Sequence, residues 1–390
     1  MPAPARGSSQ GDASSVPALS EISVFVDPVS HHFRRNELFN ETSRHNIDGA
    51  HAPYFLLKRV LEAQGIEVNT GDYLADGSKR NKVNVYFSLG ITENYRRLAR
   101  RDDVILSSFF TFEAPIVQPS AYYALRDISK HFRRIYCYST PRALARYGCA
   151  GLTFSKLHIP YCHDRIIPEL WDNQDRSFLC LLNYNRLCRR TWQELYTERL
   201  RALEYFSRFD EIDLWGIGWD RAPYVVGETW IPATLTRVNE YIHQHVPFVK
   251  RHKYGHVIDK VWRGRAKSKY ETQSHYTFTI CYENMILDGW LNENVFDCFL
   301  VGSIPIYWGP PDVTDYIPED CFIDRRRFKT YDDLRRYLRS LGPSDIRRYK
   351  ENARDYLTSD RFKPFQKESF VQLFTQAIAC DVGVAIKHTV

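Results

Sequence analysis

Residues 276–309 read YTFTICYENMILDGWLNENVFDCFLVGSIPIYWG. Tyr276 to Tyr282 carries only aromatic, β-branched and small apolar or hydroxyl side chains, the composition of a buried strand. It delivers Glu283 and Asn284 at its carboxyl end. A loop, Met285 to Leu291, follows. Asn292 suits the N-cap of a helix opening at Glu293 and running to Leu300, and Gly302 ends it. Ile304 to Tyr307 is the next strand, turning at Trp308-Gly309. Strand, helix and strand in this order form a βαβ unit of a parallel sheet. A helix N-terminus beside a strand end is a natural seat for an anionic phosphate.

The same alternation extends in both directions. Upstream, Phe178 to Leu182 reads as a strand, Arg189 to Phe206 as a long helix, and Ile212 to Trp215 as a strand, before an irregular stretch from about Ala222 to Lys269. Downstream, Asp332 to Leu341 and Ile346 to Leu357 read as closing helices. In the amino-terminal half, strands are expected at Ile22 to Val26, Ile66 to Val68, Lys82 to Phe87, Val104 to Phe110 and Arg134 to Tyr138. Helices are expected at Pro53 to Gln64 and Ala121 to Phe132. Two doubly wound α/β halves follow, binding ligands at the carboxyl ends of their strands. The expected division is a disordered tail at 1–19, an N-terminal domain at 20–165, a C-terminal domain at 166–345, and closing helices at 346–390.

Bulk properties bound the function. A chain of 390 residues suits two cores rather than one. The formal net charge of +6 falls short of a dedicated nucleic-acid binder, and no nucleic-acid partner is expected. Short basic clusters such as Arg325-Arg326-Arg327 read as solvated faces, or as sites for a diphosphate or for peripheral contact with an anionic membrane. Aromatic residues make up 14%, which fits an aromatic core or a surface that stacks on sugars. Nine cysteines without a C-x-x-C pair give no zinc or redox motif and read as free thiols in a reducing, cytoplasmic setting. No apolar run approaches the roughly 20 residues that span a bilayer. His31-His32, His252 and His256 lack a partnered ligand set, and no D-x-D motif lies near 276–309, so no metal is expected. Thr111-Phe112-Glu113-Ala114-Pro115 follows directly on a strand, placing the Glu113 carboxylate at a strand end in the cleft.

The stretch carrying Tyr282-Glu283-Asn284, Trp290-Leu291-Asn292-Glu293-Asn294 and Gly302-Ser303-Ile304-Pro305-Ile306-Tyr307-Trp308-Gly309 resembles the α-1,3/4-fucosyltransferases, glycosyltransferase family 10. The bacterial members look especially similar. The resemblance is clear from about Phe178 to Leu341. It implies the GT-B fold, two Rossmann-like domains facing across a cleft, and an inverting, metal-independent transfer of fucose from GDP-fucose to a glycan hydroxyl. No cofactor is implied beyond the GDP-fucose substrate. By the same resemblance Glu113 is the base, and Asn284 and Glu293 contact the donor. Tyr282 or Trp290 walls the pocket, and Asn183 stands at a matching strand end. Arg189 falls at the family's phosphate-binding arginine, with Arg190 and Arg199 as rivals in that helix. Asn294 departs from the pattern, where the family carries a lysine on the diphosphate. That change leaves two alternatives open: the same fold with another nucleotide sugar, or a non-catalytic nucleotide- or sugar-binding relative.

Overall fold

The computed structural model describes residues 16–92, 94–188, 191–227 and 254–389, together with Val238, Tyr241, Ile242 and His245. Arg189, Arg190, His252 and most of the expected N-terminal tail lie outside the described residues.

Thirteen strands are described: β1 Ile22–Asp27, β2 Glu67–Thr70, β3 Val83–Ser88, β4 Val104–Phe110, β5 Arg134–Cys137, β6 Ser155–Lys156, β7 Ser177–Leu182, β8 Arg186–Cys188, β9 Ile212–Trp215, β10 Tyr224–Val226, β11 Tyr276–Tyr282, β12 Ile304–Trp308 and β13 Ile323–Asp324. They form a six-stranded sheet in the order β2-β1-β3-β4-β5-β6 and a five-stranded sheet in the order β13-β12-β11-β7-β9. A two-stranded ribbon pairs β8 with β10. These ladders are parallel. Parallel strands covered on both faces read as near-continuous apolar runs, and all six residues of β1 are buried.

Each sheet reverses its winding once. In the first, β1 lies between β2 and β3; in the second, β7 lies between β9 and β11. The carboxyl ends flanking such a reversal open a crevice where ligands bind in open α/β sheets. The two crevices here border the inter-domain cleft.

Three segments tie the halves together. The loop after β11 sends Met285, Leu287 and Trp290 into the core of the first sheet. There Trp290 meets Tyr138 edge-on at 4.8 Å. Gly289, at φ +73°, makes that approach, because a Cβ would stand 2.4 Å from the Tyr138 carbonyl oxygen. The β8–β10 ribbon also packs on the first core through Leu187, Tyr224 and Val226. The closing helices divide between the sheets. Pro343–Leu357 lies under the Asn294–Val301 helix, with Phe299 and Tyr356 rings 6.0 Å apart. Lys367–Val382 returns to the first sheet, where Phe374 lies 5.1 Å from Phe110 and 4.6 Å from Phe87.

Local differences from the sequence reading have physical causes. The helix expected at Arg189 to Phe206 begins only at Tyr196, because Gln193 to Leu195 pair with the loop after β11: the Ile286 N–H donates to the Gln193 carbonyl at 2.7 Å and the Leu195 N–H to the Asn284 carbonyl at 3.2 Å. The helix expected to open at Glu293 begins at Asn294 with Glu293 at its N-cap, and Asn292 is not the cap. The Asn292 N–H is taken by the Glu283 carboxylate at 2.9 Å, which delays helix entry by a residue. Among the described residues no helix is long and apolar enough to cross a membrane. All nine cysteines are free, six of them buried.

Candidate functional site

A cavity of about 300 Å³ opens at the reversal of the second sheet, between the carboxyl ends of β7 and β11. From β7 come Leu182 and Asn183. Asn183 is held by its N–H to the Trp215 carbonyl at 2.9 Å, and its own carbonyl accepts the Trp219 indole N–H at 2.9 Å. From β11 come Tyr282 and Asn284, and the start of the Asn294–Val301 helix adds Asn292, Glu293 and Asn294. Glu113, on the turn after β4, closes the cavity from the opposite domain. That turn is pinned by the Tyr122 hydroxyl, which donates to the Glu113 carbonyl at 2.7 Å. One cavity therefore gathers the residues singled out in the sequence, except Arg189, which lies outside the described residues.

Of the arginines left open, Arg199 lines the cavity. It projects from the Tyr196–Phe206 helix and is buried. Its Nε donates to the Tyr282 carbonyl at 3.2 Å and its Nη2 to the same carbonyl and to Asn284 Oδ1 at 3.3 Å. Nη1 is buried without a partner. Burial pushes the guanidinium pKa down, while Tyr196 and Glu283 work the other way.

Two further cations line the cavity and went unread in the sequence. Arg186 stands on β8, three residues beyond Asn183, with its guanidinium 4.9 Å from the Tyr184 ring and a buried Nε without a partner. Lys269 starts the Lys269–Ser274 helix and pairs with the buried Asp297 at 2.8 Å. The Tyr161 hydroxyl donates to the other Asp297 oxygen at 2.8 Å. Burial pushes Asp297 up to about 6 despite Lys269. The Lys269 ammonium is held above its ordinary range, because Asp297 and Glu293 outweigh the opposing effect of burial. A lone Lys or Arg outside a motif carries no distinguishing pattern. Only the proximity of Arg186 to the Asn183 strand end could have singled it out.

Two carboxyls differ in setting. Glu283 is buried beneath the cavity, and burial pushes it up to about 7. Its Oε1 accepts the Asn292 N–H and the Tyr307 hydroxyl, each at 2.9 Å, so it positions the loop that carries the cavity wall. Gly309 is required beside it, because a Cβ there would stand 2.6 Å from Glu283 Cγ. Glu113 is open to solvent in the cleft yet hemmed by its walls. That crowding raises its pKa, Arg186 lowers it, and Glu293 raises it again. Tyr282 serves the cavity mainly through its carbonyl, since its ring is buried edge-on to Trp308 at 5.7 Å.

The arrangement can bind an anion among Arg186, Arg199, Lys269 and a helix N-terminus, with a single carboxylate facing it across the cleft. Residues 226–386 match the family described as glycosyltransferase family 10 (fucosyltransferase) C-term. An alpha-(1,4)-fucosyltransferase of Arabidopsis thaliana is 33% identical over 73 residues, 19% of this chain and 18% of that protein. The alpha-(1,3)-fucosyltransferase FucT of Helicobacter pylori is 35% identical over 75 residues, 19% of this chain and 16% of that protein. The chain thus spans less than a fifth of the length of either relative. Among solved structures, Anabaena HepE in complex with UDP superposes with a TM-score of 0.51 at 10% identity, covering 92% of this chain and 100% of that one. That likeness shows the fold, which is GT-B.

Proposed function

We propose, from the match of residues 226–386 to the carboxyl-terminal domain of glycosyltransferase family 10, that this chain transfers fucose from GDP-fucose to a hydroxyl of a glycan acceptor, with inversion and without a metal. The observation that carries the reading is the single cavity in which Asn183, Asn284, Glu293, Asn294, Arg199 and Glu113 meet at the reversal of the second sheet. The donor lies there with its diphosphate toward Arg199 and Arg186. The acceptor hydroxyl approaches from the side of Glu113. Glu113 takes the hydroxyl proton as the new C–O bond forms at the anomeric carbon. The bond to the β-phosphate oxygen breaks from the opposite face, and GDP departs as the anion. Arg199, Arg186 and the N-terminus of the Asn294–Val301 helix stabilise the charge that develops on it.

Asn294 fits this reading. A hydrogen bond to a charged group contributes about 1.5–3 kcal/mol, and the cavity supplies such donors from Arg199, Arg186 and Lys269 without a lysine at 294. Glu113→Ala should leave GDP binding intact, read as a thermal shift, and abolish transfer of labelled fucose to a glycan panel. Unchanged turnover would remove Glu113 from the mechanism. Stabilisation by GDP-mannose or a UDP-sugar but not by GDP-fucose would overturn the donor assignment.

A further inference from the structure

A second cavity, of about 860 Å³, lies at the reversal of the first sheet. Its floor is the carboxyl ends of β1 and β3, through Pro28, Val29, Leu89 and Gly90. It shares Phe112, Glu113 and Arg186 with the donor cavity, so those three residues form the gate between the two. A molecule filling the larger cavity presents its end to Glu113.

The lining beyond that gate is unlike a site for a long, hydroxyl-rich chain. Glu113 and Arg186 are the only carboxylate, ammonium or guanidinium groups among its described residues, and both sit at the gate. Burial and the neighbouring His45 lower the pKa of His51, which disfavours its charged form. The walls are Val29, Leu38, Leu89 and Val117 with the rings of Phe33 and Tyr54. Hydroxyls of Ser30, Tyr54, Thr111, Ser120 and Tyr224 interrupt these walls, and two of them are drawn toward the backbone. Thr111 donates to the Tyr136 carbonyl at 3.3 Å, and Ser30 accepts the His32 N–H at 3.3 Å. A sugar hydroxyl pressed against Val29, Leu38, Leu89 or Val117 loses water without gaining a partner, and among the described lining residues the cation an anion would meet is Arg186, which already faces Glu113. An apolar group gains by leaving water in the same place.

We infer that the acceptor is an uncharged sugar carried on an apolar aglycone. The sugar sits at the Phe112–Glu113–Arg186 gate, and the aglycone lies against Val29, Leu89 and Phe33. The inference rests on the transfer reading for its orientation and on the cavity itself for its chemistry.

Matched methyl and 2-naphthyl β-glycosides of galactose, N-acetylglucosamine and N-acetyllactosamine, titrated calorimetrically into the GDP-saturated chain, test it. The naphthyl member of at least one pair is expected to bind at least 10-fold more tightly. Val29→Glu should reduce that advantage to less than 3-fold, and Val29→Leu should keep it. Val29 is 45% exposed, so neither change disturbs a core. Equal affinities within every pair, an advantage that survives Val29→Glu, or tighter binding of a sialylated than a neutral acceptor would overturn the inference. GDP is titrated first. Failure of GDP to bind defeats the donor reading, while the glycoside pairs still report on the cavity.

Discussion

Replacing Glu283 with Gln tests how the buried carboxyl under the donor cavity is held. Glu283 is 1% exposed, with both described donors on Oε1 and none on Oε2. Burial is the main force raising it from the usual 4.5 to about 7, helped by Glu293 and opposed by Asn292, Tyr307 and Arg199. A carboxyl whose folded pKa exceeds its unfolded value takes up a proton on folding. Its contribution is therefore most favourable below about 4.5, declines as pH rises to about 7, and is flat above. At ~1.4 kcal/mol per pKa unit, ionised Glu283 costs the folded protein about 3 kcal/mol above that window. Gln keeps an acceptor for Asn292 and Tyr307 and carries no charge at any pH. Thermal unfolding of both proteins should show the wild type losing ground to Glu283→Gln between pH 5 and pH 8, by on the order of 3 °C for a chain of this size. A difference in Tm that is the same at both pH values, or a wild type that gains as pH rises, would refute the assignment of a strained buried carboxyl.

Other expectations follow from the same contacts. Arg199→Met should weaken GDP binding by roughly 10- to 150-fold in a calorimetric titration, the loss of one charge-assisted hydrogen bond, with Arg199→Lys retaining part of the affinity. Lys269→Met strands the Asp297 carboxylate and should destabilise the fold by about 3–5 kcal/mol in urea, whereas Lys269→Met with Asp297→Asn recovers much of that loss. The acidic limb of kcat/KM should lie above the ordinary carboxylate range, because the cleft raises Glu113, which must be ionised to act as base. A limb below pH 4 would contradict that environment.

Much of the fold was legible because periodicity and punctuation are local. The run from Tyr276 to Tyr282 is a strand, Gly302 ends a helix in the left-handed conformation at φ +66°, and Ile304 begins the next strand. The strand-end rule then placed Asn183, Asn284 and Glu113 in the cleft. Errors arose where a distant group intervened. The sequence could not show that Glu283 captures the Asn292 N–H, or that Gln193 to Leu195 pair with the loop after β11 and delay the following helix.

The sequence by itself determined two doubly wound halves and a motif-bearing stretch at a strand end, since strand burial, helix punctuation and motif spacing are written in neighbouring residues. Tertiary structure alone decided which cations face the cavity. Lys269 and Arg186 lie far from each other and from Glu293 in the chain, and only the parallel ladders of β7, β11 and β8 carry their side chains to one place. It also decided that the first sheet holds a wide cavity, charged only at its gate among the described residues, against the smaller one, because Val29, Leu89 and Val117 become one wall only when the strands that precede them lie side by side.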